Sequence, residues 1–270
     1  MTTRAEVETL DDSQRTAVRM AIREMRSLWL TIQNLNPEWQ RDLLLDEIPK
    51  LVAKYGNVAA EAAAEWYEET RSRQVGGDYY ASIGDMQPET DIVSAIRSQA
   101  GSLFEGDPSQ MAAFLEGALD RWVKYAGRST IVNNVIRDTS NPRWARVPRG
   151  AKTCAWCSIL ASQGFFYLSK ESATHIKGTT DAYHNNCDCQ GVPMWDSMEE
   201  IIDGYDPDRM YDEYAKARDV ISNHRIPDSW VIDMRERGIT IMNATDPNAL
   251  AYIMRRLNPS MYSDGVEPSE

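Results

Sequence analysis

The chain has 270 residues, 42% of them hydrophobic, and 29 Lys and Arg against 41 Asp and Glu, a net charge of −12. That apolar content is enough for a substantial core and excludes global disorder, while the acidic balance disfavours a dedicated nucleic-acid binder, whose affinity rests on neutralising phosphates. No apolar run approaches bilayer length, and the opening Met1-Thr2-Thr3-Arg4-Ala5-Glu6-Val7-Glu8 lacks a signal-peptide core, so no membrane partner is expected and synthesis in a reducing cytoplasm is the default.

In chain order, the first 135 or so residues read as helices. Asp12-Ser13 is a cap for a helix striped by Val18, Ile22, Met25, Trp29 and Ile32. Asn36-Pro37-Glu38 starts the next, which Pro49 should kink or break before Gly56 ends it. Ala59 to Arg73 is a strong helix former anchored by Trp66 and Tyr67, and Gly76 to Pro88 reads as a loop. Asp91 to Phe104 and Asp107 to Ala126 make two more helices, the second stopped by Gly127. Thr130 to Arg137 fits helix or strand equally, and Asn141 to Gly150 is extended. After the cysteines, Asp206-Pro207 and Asp246-Pro247 open helices, the latter closed by Asn258-Pro259. Strand-like pieces are few: Phe165 to Leu168, Val192 to Trp195 and Gly238 to Met242.

The predicted fold class is mainly α, with a small α+β cysteine-rich module between a helical N-terminal body and a helical C-terminal part. The expected divisions are 1–135 for the N-terminal region, 136–200 for the cysteine module, 201–258 for the C-terminal helices and 259–270 for a loose tail.

All four cysteines fall in one stretch, as Cys154-Ala155-Trp156-Cys157 and His184-Asn185-Asn186-Cys187-Asp188-Cys189. Two short soft-ligand clusters joined by one loop suit a closed tetrahedral site, and thiolates with imidazole suit structural Zn²⁺. The candidates are Cys154, Cys157, His184, Cys187 and Cys189, five groups for four positions. Either the four cysteines bind with His184 supporting them, or His184 replaces Cys187 or Cys189. The alternatives are disulfides between the clusters and inert buried thiols. A zinc deaminase would need an H-x-E motif, which is absent, and a thioredoxin-like role for the C-x-x-C lacks its βαβ context. No catalytic residue is assigned. A basic stripe of Arg128, Arg137, Arg143, Arg146, Arg149 and Lys152 is a candidate contact for DNA phosphates or an acidic partner.

Arg146-Val147-Pro148, the C-x-x-C pair, Ile159-Leu160-Ala161-Ser162 with Gly164 and Tyr167, and Tyr183 to Cys189 followed by Val192-Pro193 together resemble the phage Mu F-like minor capsid (minor head) family in its actinobacteriophage form. The resemblance covers about 50 residues and is carried by the combination, each piece being weak alone. It implies a virion protein in few copies inside the head near the portal vertex, made in the host cytoplasm. Its implied partners are the portal and major capsid proteins, and its implied role is to assist head assembly and DNA packaging or ejection without enzymatic activity. A capsid maturation protease, or another effector carried in the head, is the alternative that the resemblance brings with it.

Overall fold

The computed structural model describes residues 2–150, 152–166, 187–195 and 202–264. The described residues divide into two compact units, one built from 8–141 and the other from 2–7, 142–150, 152–166, 187–195 and 202–264. The fold is mainly helical with a small two-stranded sheet, the class read from the sequence.

The first helix, α1 (Arg4–Ile32), begins a full two turns before Asp12. Thr3 and Glu6 form a reciprocal cap, Thr3 N–H donating to Glu6 Oε2 at 2.7 Å and Glu6 N–H to Thr3 Oγ1 at 3.3 Å. Ser13 lies inside the helix, its hydroxyl turned back on Thr9 O at 2.9 Å, so the expected cap at Asp12-Ser13 is overridden by a stronger signal upstream.

In the helical unit, α2 (Pro37–Gln74) starts where expected, with Asn36 accepting from Trp39 N–H at 2.9 Å. It then runs unbroken through Pro49 and Gly56, against expectation. Proline removes one hydrogen bond from the ladder, but Leu44, Ile48, Leu51 and Val52 bury their side chains on both sides of it, and that packing outweighs the local cost. The helices α3 (Glu89–Gln99) and α4 (Gly101–Phe104) follow. Then α5 (Pro108–Arg137) passes straight through Gly127, which sequence reading took for its stop, and absorbs the ambiguous Thr130 to Arg137. Gly127 is there for contact: a Cβ would lie 2.6 Å from Gln14 Nε2 and 2.9 Å from the Ala59 carbonyl oxygen. The core joins Ala17, Ala21 and Met25 of α1 to Leu44 and Ile48 of α2, Ile92 and Ile96 of α3, and Leu115, Leu119 and Trp122 of α5.

Residues 78–87 form no regular element, yet they are laid along α5 by its buried polar side chains. Ser82 exchanges two bonds with the Asn134 amide, N–H to Oδ1 at 2.9 Å and Nδ2 to O at 2.8 Å. Gly84 N–H donates to Thr130 Oγ1 at 2.9 Å and Asp85 N–H to Ser129 Oγ at 3.0 Å. At the end of α5, buried Asp138 accepts from Arg71 Nε at 2.8 Å and from the Tyr67 hydroxyl at 3.2 Å.

The second unit holds β1 (Arg143–Pro148), α6 (Ala155–Ala161), a 3₁₀ turn at Gly164–Phe166, and β2 (Cys189–Met194). After these come α7 (Pro207–Ser222), α8 (Asp228–Glu236), α9 (Pro247–Leu257) and a 3₁₀ turn at Pro259–Met261. Asp206 and Asp246 cap α7 and α9 as expected. Two expected strands are corrected. The described part of Phe165 to Leu168 lies in the 3₁₀ turn, and Gly238 to Met242 pairs with nothing; Ile239 N–H instead closes back on Met234 O at 2.8 Å. The helix α8 was not foreseen. Ile159, Ala217, Ile221, Met234 and residues Ala249 to Met254 form this unit's core. Asp233 of α8 accepts from Tyr252 Oη at 2.6 Å, Arg256 Nη2 at 2.6 Å and Arg237 Nε at 3.0 Å.

Gly127→Ala is expected to destabilise the helical unit by about 1–3 kcal/mol, because the Ala59 backbone cannot yield to the added methyl; urea denaturation measures it. Asp233 tests the second unit. Its bonds from Tyr252, Arg237 and Arg256 lower its pKa from 3.8 to about 2, so its contribution is present above 3.8 and is lost as pH falls through about 2. Asp233→Asn should therefore lower the urea midpoint at pH 7, and the gap from the parent should close between about pH 4 and 2.

Candidate metal centre

The two cysteine clusters are brought together by strand pairing. The strands β1 and β2 are antiparallel, with Arg143 opposite Met194, Ala145 opposite Val192 and Pro148 opposite Cys189. Both are buried on both faces apart from Arg143, which explains why neither shows an alternating pattern. Each strand of a two-stranded ladder has a free edge, so Pro148 and Pro193 are tolerated within it. The ladder is prolonged by Arg149 N–H donating to Asp188 O at 3.2 Å. In extended chain, residues two apart face the same way, and Cys187-x-Cys189 turns both sulfurs toward α6.

The other cluster starts α6. Cys154 is its N-cap, and its Sγ accepts from Cys157 N–H at 3.2 Å. The x-x spacing thus returns Cys157 over Cys154 within one helical turn. Cys157 Sγ lies 3.3 Å from Cys187 Sγ, and the sulfurs of Cys157, Cys187 and Cys189 all lie within 4.8 Å of one another. Those three residues are fully buried, and Cys154, also buried, stands outside the trio while bonded to Cys157. All four cysteines are free, so the disulfide clasp considered from the sequence does not form.

The surroundings of the sulfurs are polar. Buried Arg146, on β1, donates from Nη2 to Cys187 Sγ at 3.7 Å, its guanidinium 5.9 Å from the Trp156 ring centre. Thr153 Oγ1 donates to Asp188 Oδ1 at 2.8 Å and touches Cys189 Sγ at 4.0 Å, tying the residue before one cluster to the residue inside the other. The bond with Cys154, followed by those with Cys187 and Cys189 and by burial, holds the Cys157 thiol well above the ordinary thiol range. Contact with Cys157 pulls Cys189 down, but Cys187 and burial outweigh it and leave that thiol raised too. Without a cation these thiols stay protonated; a bound metal reverses that order, since a coordinating thiol is deprotonated outright.

The donor set fits a soft cation. In a tetrahedral zinc site with Zn–S near 2.3 Å, sulfurs stand about 3.8 Å apart, so the trio is spaced to hold a metal ion with little rearrangement. Of the five predicted ligands, Cys157, Cys187 and Cys189 come together and Cys154 adjoins them; His184 lies outside the described residues. The basic stripe is divided. Arg128 and Arg146 are buried, while Arg137, Arg143 and Lys152 are exposed. Sequence reading assigned Arg146 to that stripe and missed its place beside the sulfurs. The available sign was a charged residue standing alone inside the apolar run Trp144-Ala145-Arg146-Val147.

The chain is similar to proteins of two mycobacteriophages. It is 27% identical over 194 residues to the Gene 15 protein of Mycobacterium phage D29, covering 59% of this chain and 68% of that protein. It is 27% identical over 205 residues to the Gene 15 protein of Mycobacterium phage L5, covering 59% of this chain and 66% of that protein. About a third of each relative therefore lies outside the match. No solved structure matches the chain. Among the described residues no helix is long and apolar enough to cross a membrane. The family model described as VG15 protein matches residues 1–217, cysteine clusters included, so the chain belongs to the VG15 family, a phage protein family.

Proposed function

We propose that the protein is a non-enzymatic minor head component of a tailed phage, of Mu F-like type, held inside the head near the portal. There it would contact the portal and major capsid proteins while assisting assembly and DNA packaging or ejection. The observation that carries this reading is the joining of the C-x-x-C and C-x-C clusters in a chain whose relatives are phage Gene 15 proteins. That joining is what the Mu F-like resemblance implies for its motif residues, a clasp with no reaction to perform. In this reading the zinc is structural, held by Cys157, Cys187 and Cys189, with the fourth position taken by Cys154 or His184. It fixes a unit whose only described sheet has two strands. The helical unit is then the docking arm, and exposed Arg137, Arg143 and Lys152 are the residues of the basic stripe able to reach packaged DNA.

Two measurements bear on this. Purified full-length protein is expected to carry one zinc per chain by elemental analysis. Cys157→Ser and Cys189→Ser should each remove it and lower the melting temperature of the second unit, as chelator does to the parent. A metal-free parent with unchanged melting in chelator would overturn the zinc assignment. For the head role, quantitative mass spectrometry of purified virions should find the protein at low copy number. Deleting residues 1–135 should reduce its incorporation. Undiminished incorporation would remove the arm's role, and failure of capsid-subunit processing on deleting the whole gene would favour the protease alternative.

A further inference from the structure

The last described residues of the chain run beside the first cysteine turn. Thr153, immediately before Cys154, forms a parallel bridge with Tyr262, and Ser263 N–H donates to Thr153 O at 3.0 Å. On the other side of the cysteine, Ala155 N–H donates to Asp264 Oδ1 at 3.0 Å. The second oxygen of the same carboxylate receives Arg255 Nε at 2.8 Å and Nη2 at 2.5 Å from α9. Tyr262 is buried in this unit's core, which joins α6, α7, α8 and α9.

Cys154 is thus bracketed. The residue before it and the residue after it are both bonded to residues 262–264, and Thr153 is bonded through its hydroxyl to Asp188 between the other two ligating positions. The C-x-x-C spacing explains the bond from Cys157 N–H to Cys154 Sγ, but nothing in it requires the neighbours of Cys154 to be fixed by a segment more than a hundred residues away. Such outer contacts orient metal ligands and commonly change metal affinity by about 10–100-fold when lost.

We propose that residues 262–264 are a latch that positions Cys154 against the Cys157, Cys187 and Cys189 trio as the fourth ligand. Metal binding and anchoring of the C-terminal segment are then one coupled event. This rests on the zinc reading above. Linkage makes the effect reciprocal: the latch raises metal affinity, and metal holds the latch closed by the same factor. Asp264 and Ser263 are positioning residues, since their bonds go to the backbone of Ala155 and Thr153 and not to a cysteine sulfur.

The test uses the full-length chain and zinc or cobalt ions. Affinity is read by competition with a chromophoric chelator, and the thiolate count from the cobalt charge-transfer intensity. Asp264→Ala and Ser263→Pro should each weaken binding by about tenfold or more and lower that intensity. Asp264→Asn, which keeps an acceptor for Ala155 N–H, should lose less. Parent-like affinity and intensity in both Asp264→Ala and Ser263→Pro would overturn the latch, whereas a parent that binds no metal would overturn the zinc reading beneath it. If the variants do not fold, hydrogen exchange at Ser263 N–H in the parent decides. Protection that rises with zinc supports the latch, and protection indifferent to zinc overturns it.

Discussion

Everything in the second unit depends on a short antiparallel ladder that carries Cys187 and Cys189 to the side of α6. A two-stranded ladder is marginal in water by itself. Here it is stabilised by burial of both faces and by contacts at its end, where Arg149 and Thr153 hold Asp188 and Arg146 reaches Cys187. The cost of that burial is electrostatic. A guanidinium and several thiols are removed from water together, and such a group is tolerated only when its members satisfy one another. Three buried sulfurs at close range form a group able to hold a metal ion.

The helical unit follows a different rule. There the decisive interaction is the close approach of α1, α2 and α5, which places the Ala59 backbone where a side chain at position 127 would stand. Close approach of this kind increases dispersion contact along whole helix faces, so continuous helices win over the local breakers within them. Pro49 and Gly127 each carry a local tendency to stop, and each is outvoted by the buried residues on either side.

This separates what could be read in the sequence from what could not. The helical class and the caps at Asn36, Asp206 and Asp246 were legible because each depends on residues within a few positions of one another, and the cysteines because each cluster carries a short ligand-like spacing. The continuity of α2 and α5 was not, since it is set by side chains that meet only after folding. The start of α1 was legible in principle through Thr3-x-x-Glu6, but the Asp12-Ser13 pair is the more familiar pattern and drew the boundary late. At the candidate metal centre, spacing singled out the cysteines that the structure gathers, whereas Arg146, Thr153 and Asp264 became visible only through strand register and a contact across more than a hundred residues.

The segment 78–87 is attached to α5 largely through its own main chain: Ser82, Gly84 and Asp85 offer amides and a carbonyl to helix side chains, while the Tyr79 hydroxyl and Ser82 Oγ add side-chain bonds to Asn134 and Arg137. Information about where that segment lies is therefore stored largely outside it, in Ser129, Thr130 and Asn134 of α5 and in Glu68 of α2, which accepts from Ala81 N–H at 2.7 Å. Tyr80 and Ile83, both turned to solvent, are free to be exchanged for other residues without moving the chain that bears them. A region that looks like a connecting loop is in this respect a display, with its backbone path set by two helices and its outward lettering open to change at Tyr80 and Ile83.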